Sequence, residues 1–225
     1  MKGRVLAISG IDTGIGKTVA TGLLARAFIE AGTETITQKI VQTGCSGIAD
    51  DIAVHRELMG IGLQDVDLQG TTCPFVFPYP ASPHLAASME GTEIDVMTIR
   101  RATFMLQKRY ELVLLEGVGG LLVPLNAELL FADYIRDAGY ALVLVTSSRL
   151  GSINHTFLSL EACMSRGISV RGIIYNRYGE ADSFIADETR KVIERSLLRY
   201  GMSSTPLIDL DGRGLAPDAA RLLNI

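Results

Sequence analysis

The sequence predicts an α/β fold: a mostly parallel β-sheet with helices on both faces. Three observations carry this. Strand-like and helix-like segments alternate along the 225 residues. Several strand segments, among them Leu112–Leu115 and Ala141–Thr146, are apolar almost throughout, as a parallel sheet covered on both sides requires. The first apolar run, Val5-Leu6-Ala7-Ile8, leads into a glycine-rich turn that opens a long apolar-periodic segment. A chain of this length fits one domain spanning 1–225, and no repeat, low-complexity tract or linker divides it.

The elements follow in order. Residues 4–9 read as a buried strand. Residues 17–31 read as a helix with Leu23, Leu24, Ala27 and Phe28 on one face and Gly32 as its stop. Residues 34–41 suggest a second strand ending near Lys39, and Asp50 to Leu58 has helical spacing. The stretch 70–90 reads as irregular and holds four of the seven prolines. Within it Ser82-Pro83-His84 opens a helix, with Ser82 or the residues after it as cap. A helix over 96–109 precedes a strand, Tyr110–Leu115, that ends at Glu116. After the strand 141–146 come a helix over Ile153–Arg166, a strand over Val170–Tyr175 ending at Asn176, an amphipathic helix over 182–199 and a short strand near Pro206–Leu210.

The turn reads Ser9-Gly10-Ile11-Asp12-Thr13-Gly14-Ile15-Gly16-Lys17-Thr18. Strand, glycine-rich turn and helix with Gly-Lys-Thr at its start are the context of a phosphate-binding loop. Backbone N–H groups and the helix N-terminus attract phosphate, Lys17 can reach the β/γ-phosphates, and Thr18 can place its hydroxyl on Mg²⁺. The usual first glycine is displaced: Ile11 stands there, after Gly10. The fold class narrows to a P-loop NTPase-like one. In such sheets ligands bind beyond the carboxyl ends of the strands. The polar residues at those ends are Ser9 to Thr18, Lys39, Glu116, Ser147-Ser148 and Asn176. Glu116, followed by Gly117-Val118-Gly119-Gly120, can hold Mg²⁺ or simply open a solvated turn. Lys39 can serve the site or be an edge-strand charge. Asp50 and Asp51 can cap a helix or serve the metal. His84 and His155 have no companion at metal-ligand spacing.

A net charge of −4 implies no general attraction to nucleic acid, and 48% hydrophobic residues can fill a sizeable core. Cys45, Cys73 and Cys163 form neither a metal pattern nor a disulfide framework, so a reducing, cytoplasmic setting is expected. No run reaches membrane-spanning length, and the amino end shows no signal-peptide pattern.

Taken together, the motifs resemble the ATP-dependent dethiobiotin synthetase family. Gly10-Ile11-Asp12-Thr13-Gly14-Ile15-Gly16-Lys17-Thr18 is similar to its variant phosphate loop, Gly-x-Asp-Thr-x-x-Gly-Lys-Thr, which accounts for the displaced glycine. Lys39-Ile40-Val41-Gln42-Thr43-Gly44 resembles its Lys-Pro-Val-x-Ser/Thr-Gly, with Ile40 in place of proline. Asp50 falls where the family has its helix-opening metal aspartate, with Asp51 the neighbouring alternative. Ser82-Pro83-His84, Glu116-Gly117-Val118-Gly119-Gly120 and Leu150-Gly151-Ser152-Ile153-Asn154-His155 match further segments in the family's order, and Asn176 matches its adenine-reading asparagine.

The resemblance implies that 7,8-diaminononanoate takes up CO₂ and closes to a ureido ring at the expense of ATP. It implies catalytic roles for Lys17, Lys39 and Thr13. ATP contacts would run over Gly14, Ile15, Gly16, Lys17, Thr18 and Val19, then Asp50, Glu116, Gly117, Val118 and Gly119. Asn176, Arg177, Pro206, Leu207 and Ile208 would hold the base. Mg²⁺ would be held by Thr18, Asp50 and Glu116. Thr13, Lys39, Thr43, Gly151, Ser152 and Asn154 would contact the diamine or its carbamate. A homodimer is implied, with neither nucleic acid nor membrane as partner. ATPases of the partitioning and metal-insertion type share the loop but act on protein partners; the Lys39, Ser82–His84 and Leu150–His155 segments favour the small-molecule enzyme.

Overall fold

A computed structural model describes residues 2–178 and 182–223. Strands β1 (Arg4–Gly10), β2 (Thr35–Lys39), β5 (Leu112–Gly120), β6 (Ala141–Ser147), β7 (Val170–Asn176), β8 (Leu207–Asp211) and β9 (Gly214–Leu215) form one sheet. Their order is β2-β5-β1-β6-β7-β8-β9, and every pairing is parallel except β8–β9. The chain leaves central β1 for β2 on one flank and later returns to β6 on the other. The loop after β1 therefore opens at the topological switch point, where such sheets bind ligands.

Alternation along β1 shows how the sheet is covered. Leu6 and Ile8 pack with Leu24 and Phe28 of α1 (Lys17–Glu30) and with Ile193 and Leu197 of α8 (Ser183–Arg199). Ala7 packs with the opposite layer, which holds Ala86 of α4 (Pro83–Met89), Ile99 of α5 (Val96–Gln107) and Phe131 and Ile135 of α6 (Phe131–Ala138). Helices thus cover both faces, as the apolar strands required. Ala31 ends α1, and Gly32 just beyond it takes a positive φ of 87°, the left-handed stop that glycine allows.

The structure departs from the sequence reading in local ways. β5 runs on through Glu116 to Gly120, because its carboxyl end still pairs with β1: Ile8 lies opposite Glu116 and Gly10 opposite Gly120. Glu116 is therefore inside a central strand rather than in a solvated turn. The unassigned stretch after Gly120 contains α6, whose Phe131, Ala132, Tyr134 and Ile135 are buried. The stretch 70–90 holds β4 (Val76–Phe77), which pairs with β3 (Gln42–Thr43) in a two-stranded sheet too short to show a period. A single helical turn, α3 (Asp65–Leu68), follows α2 (Asp50–Met59). Ser82 occupies the N-cap position of α4 and Pro83 opens the helix, but the serine side chain makes no capping bond. Among the described residues no helix is long and apolar enough to cross a membrane. The three cysteines are free, and burial pushes the thiols of Cys73 and Cys163 up to about 12.

Candidate active site

The phosphate loop spans Ile11 to Gly16. Ile11 and Ile15 turn their side chains into the core between β1 and α1, so Ile11 replaces the usual glycine without obstructing the loop's mouth. Gly16 immediately precedes α1 with a left-handed φ of 92°. A Cβ there would clash with the Asn176 amide, which packs on the loop. Lys17 is buried, and its Nζ donates to the Asp12 carbonyl at 2.8 Å, so the ammonium lies across the loop. Burial, followed by the charge of Lys39, pushes the Lys17 pKa down to about 8. Thr18 Oγ1 donates to Glu116 Oε1 at 3.2 Å.

Glu116 joins the loop to a second group of charges. Strand register sets Lys39 of β2 directly beside Glu116 of β5. Lys39 Nζ donates to Glu116 Oε1 at 2.8 Å and to the Gly117 carbonyl at 2.9 Å, and pairs with Asp51 Oδ2 at 2.5 Å. Its three N–H donors are thus all engaged. Burial alone would lower the Lys39 pKa, but the two carboxylates more than reverse this and hold it above the ordinary value. Burial would likewise raise Glu116, but the Lys39 charge and a hydrogen bond from His55 hold its carboxyl well below the usual range. Both side chains are charged in the fold. Ile40, which stands where the resembled family has proline, donates its N–H to the Glu116 carbonyl at 2.9 Å, a bond proline could not make.

Asp51 rather than Asp50 reaches this cluster; Asp50 is exposed at the start of α2 and lines no part of the cleft. Neither caps the helix, because Ala49 holds the N-cap position, though both sit in the first turn where the helix dipole favours acids. His55 lies one turn after Asp51, fully buried, with Nε2 2.7 Å from Glu116 Oε2. Nothing in the sequence marks it: its partner is 61 residues away and there is no second ligand at regular spacing.

These groups line a cleft of about 470 Å³ that includes Thr13, Gly14, Lys17, Thr18, Lys39 and Thr43. A hollow of about 510 Å³ lined by Arg4, Gln107 and Tyr110 lies at the amino ends of β1 and β5, opposite the phosphate loop. Parallel sheets of this kind bind at the other end, so the smaller cleft is the site.

A family model described as AAA domain matches residues 4–202. The ATP-dependent dethiobiotin synthetase BioD of Chlorobaculum tepidum is 70% identical over 227 residues, covering 100% of this chain and 95% of that protein. The chain belongs to the ATP-dependent dethiobiotin synthetase family. The BioD 2 synthetase of Haemophilus influenzae is 53% identical, covering 84% of this chain and all of that relative. Among solved structures, a ParA family ATPase from Chlorobium tepidum aligns with a TM-score of 0.54 at 18% identity, over 98% of this chain and 88% of that one. At that identity the likeness speaks for the fold alone: a P-loop NTPase-like architecture shared by synthetases and partitioning ATPases.

The remaining positions that the synthetase family suggests fall outside the cleft. Asn176 Nδ2 donates to the Ile15 carbonyl at 2.9 Å and its Oδ1 accepts from the Tyr178 N–H at 2.9 Å. One amide N–H and one lone pair remain for a base. Arg177 pairs with Asp187 at 2.6 Å. Pro206, Leu207 and Ile208 are displaced from the strand end. Leu207 pairs with Ile173 and Ile208 with Ile174, whereas Leu210 lies beside Asn176. The chain next to Asn176 is therefore Leu210–Gly212, about three residues beyond the expected wall; strand register, which the sequence does not display, makes the difference. Gly151 and Asn154 are exposed, and Ser152 is buried with Oγ 2.8 Å from Ser147 Oγ. These three lie after β6, on the flank of β1 opposite Lys39 and Thr43. Arg149 pairs with Asp12 at 2.5 Å and ties that flank to the phosphate loop.

Proposed function

We propose that this protein converts 7,8-diaminononanoate, CO₂ and ATP into dethiobiotin, ADP and phosphate. Its family membership makes it an ATP-dependent carbon–nitrogen ligase of biotin biosynthesis. The observation that carries the finer reading is a pair of buried lysines at one phosphate loop, with Lys39 held in place by Glu116 and Asp51. One substrate amine adds to CO₂ and loses a proton to give a carbamate. A carbamate oxygen attacks the γ-phosphorus, ADP leaves, and a carbamic–phosphoric mixed anhydride results. The second amine attacks the carbamoyl carbon, phosphate leaves, and the five-membered ring closes. Phosphorylation is the chemical point of the sequence, because it replaces a costly oxide leaving group by phosphate.

The protein's task is to gather negative charge and align the reacting atoms. Lys17 steadies the β/γ-phosphates. Lys39 exchanges a carboxylate partner for a carbamate or phosphoryl oxygen as those groups arrive. Thr13 and Thr43 offer hydroxyls to the diamine. The substrate supplies both nucleophiles, so no nucleophilic side chain is needed. Among the described residues no three His, Cys, Asp or Glu side chains converge into a metal cage. Magnesium does not need one, since one or two carboxylates with phosphate oxygens and water suffice. Thr18, Glu116 and Asp51 supply hard oxygen donors beside the phosphate loop, and these three would hold it. Bound there, the cation neutralises phosphate charge. Asn176 with Leu210–Gly212 borders the adenine.

The assembly we favour is a homodimer in which Gly151, Ser152, Asn154 and α7 (Ser152–Arg166) border the partner's substrate site. Fully exposed Leu150 and exposed Leu158 on that flank, with exposed Leu122 lining one hollow with Leu158, support it. Sedimentation tests assembly, and a stable, fully active monomer would refute the shared site. For the reaction itself, purified protein is given ATP, Mg²⁺, bicarbonate and the diamine, and dethiobiotin is sought by mass. ADP release without a ureido product would overturn the substrate assignment.

A further inference from the structure

Helix α2 sends two polar side chains toward the cleft, and only one of them reaches its surface. Asp51 lines the opening, whereas His55, four residues on and so on the same helix face, is wholly buried beneath it. Its ring has one directed polar contact, from Nε2 to Glu116 Oε2 at 2.7 Å; Nδ1 is buried without a hydrogen-bond partner. An ionised carboxylate only accepts, so the ring donates from Nε2. Glu116 is thereby divided between two environments. Oε2 is tied inward to the histidine, and Oε1 alone meets Thr18 Oγ1 and Lys39 Nζ.

The backbone around His55 is held from two sides. On α1, a Cβ at Gly22 would come within 2.9 Å of Leu58 Cβ and 3.3 Å of the His55 Cα, so the bare glycine lets α2 approach at that level. The next residue, Arg56, is buried and forked onto Asp67 at 2.7 and 2.8 Å, with Thr37 Oγ1 of β2 at 2.7 Å. The imidazole has little freedom to follow a carboxylate that moves. The carboxylate must follow the imidazole.

We infer that His55 is a positioning residue for Glu116, orienting the carboxylate so that a single oxygen faces Thr18 and the cation. The inference rests on the reading of Glu116 as a magnesium ligand. Without the Nε2–H, both carboxylate oxygens are free to turn onto Lys39, and the cation loses a preset ligand. Hydrogen-bond partners of metal ligands typically contribute about 10–100-fold in metal affinity.

The test compares His55→Leu, which keeps apolar bulk and removes the donor, with His55→Gln, which restores an N–H at similar reach. Mn²⁺ affinity in the presence of ATP is read by electron paramagnetic resonance, alongside the Mg²⁺ concentration that half-activates turnover. His55→Leu should weaken Mn²⁺ about tenfold or more and raise the Mg²⁺ requirement in parallel. ATP affinity measured without metal should stay unchanged, and His55→Gln should recover most of the loss. Wild-type Mn²⁺ affinity in the leucine variant, or a glutamine variant no better than leucine, overturns the inference. If the leucine variant does not fold, His55→Met, equally donor-free, replaces it. Glu116→Gln separates the two levels. If it leaves Mn²⁺ affinity unchanged, the magnesium reading falls and the inference with it; if it weakens Mn²⁺ while His55→Leu does not, only the positioning role falls.

Discussion

Replacing Lys39 by methionine asks how much of the fold depends on this lysine as a counter-charge. The substitution keeps a flexible apolar stem and removes the ammonium. Glu116, Asp51 and the Gly117 carbonyl then lose a donor that lies 2.5–2.9 Å away. Glu116 is fully buried and retains only His55 and the longer Thr18 contact. Breaking a buried ion pair from one side costs about 3–5 kcal/mol. Asp51 is partly open to water and adds little. The expected loss in urea unfolding near neutral pH is therefore about 3–5 kcal/mol, a large share of the stability of an ordinary domain. The pH dependence supplies a second check. In the native protein burial pushes the Glu116 pKa up, and Lys39 and His55 pull it below its ordinary 4.5. Its contribution is present above that ordinary value and is lost as pH falls through the folded one. In Lys39→Met the burial effect is left largely unopposed, the folded pKa rises, and protonation relieves the variant. The stability gap between the two proteins should narrow as pH falls from neutrality toward the ordinary carboxylate value. Lys39→Met combined with Glu116→Gln should regain much of the loss. A gap under about 1 kcal/mol, or one that holds constant with pH, would refute the reasoning.

Other outcomes follow from the same geometry. ATP affinity should fall as pH rises past about 8, where Lys17 loses its proton. One unit higher the loss should reach about tenfold, and calorimetry on Lys17→Arg should show a flat profile. Asp51→Asn should raise the Mg²⁺ requirement of turnover, whereas Asp50→Asn, at an exposed position, should leave it near wild type. Asp67→Ala strands the buried Arg56 guanidinium and should cost about 3–5 kcal/mol in denaturant unfolding, while an apolar replacement of both partners should recover much of that.

The phosphate loop was legible because its chemistry is local: glycines, lysine and threonine sit within one turn between a strand and a helix. Glu116 was legible because it ends an apolar run, Leu112–Leu115, at the carboxyl edge of a parallel sheet, where ligands bind. Lys39, which follows Thr37-Gln38, could equally be an edge-strand charge, and only the resemblance of Lys39–Gly44 to a family segment assigned it to the site. What stayed hidden depends on phase or register. Asp50 and Asp51 are equivalent as letters, yet one residue rotates a helical side chain by about 100°, and only Asp51 shares its face with His55. The resemblance implied an adenine wall at Pro206–Ile208, but pairing with β7 moves the strand end to Leu210 and beyond. The two-residue ladder of β3 and β4 is below the length at which alternation can be read. Helix α6 did carry a readable signal in Phe131, Ala132, Tyr134 and Ile135, whose buried positions follow helical spacing.

The position of β5 between β1 and β2 has a consequence for how the molecule is made. Those two strands are close in sequence but do not pair; Leu112 lies level with Arg4 on one side and Thr35 on the other. A nascent chain that has emerged only through α4 holds two strands whose facing edges have no partner, the condition that invites wrong pairing or capture by another chain. Insertion of β5 ends that exposure. The same insertion brings Glu116 to Lys39, so the lysine gains its buried counter-charge in the event that fills the gap between β1 and β2. Closure across so long a stretch of chain makes that a slow step, and a chaperone that shields the gap until Gly120 has cleared the ribosome would raise the yield of active protein.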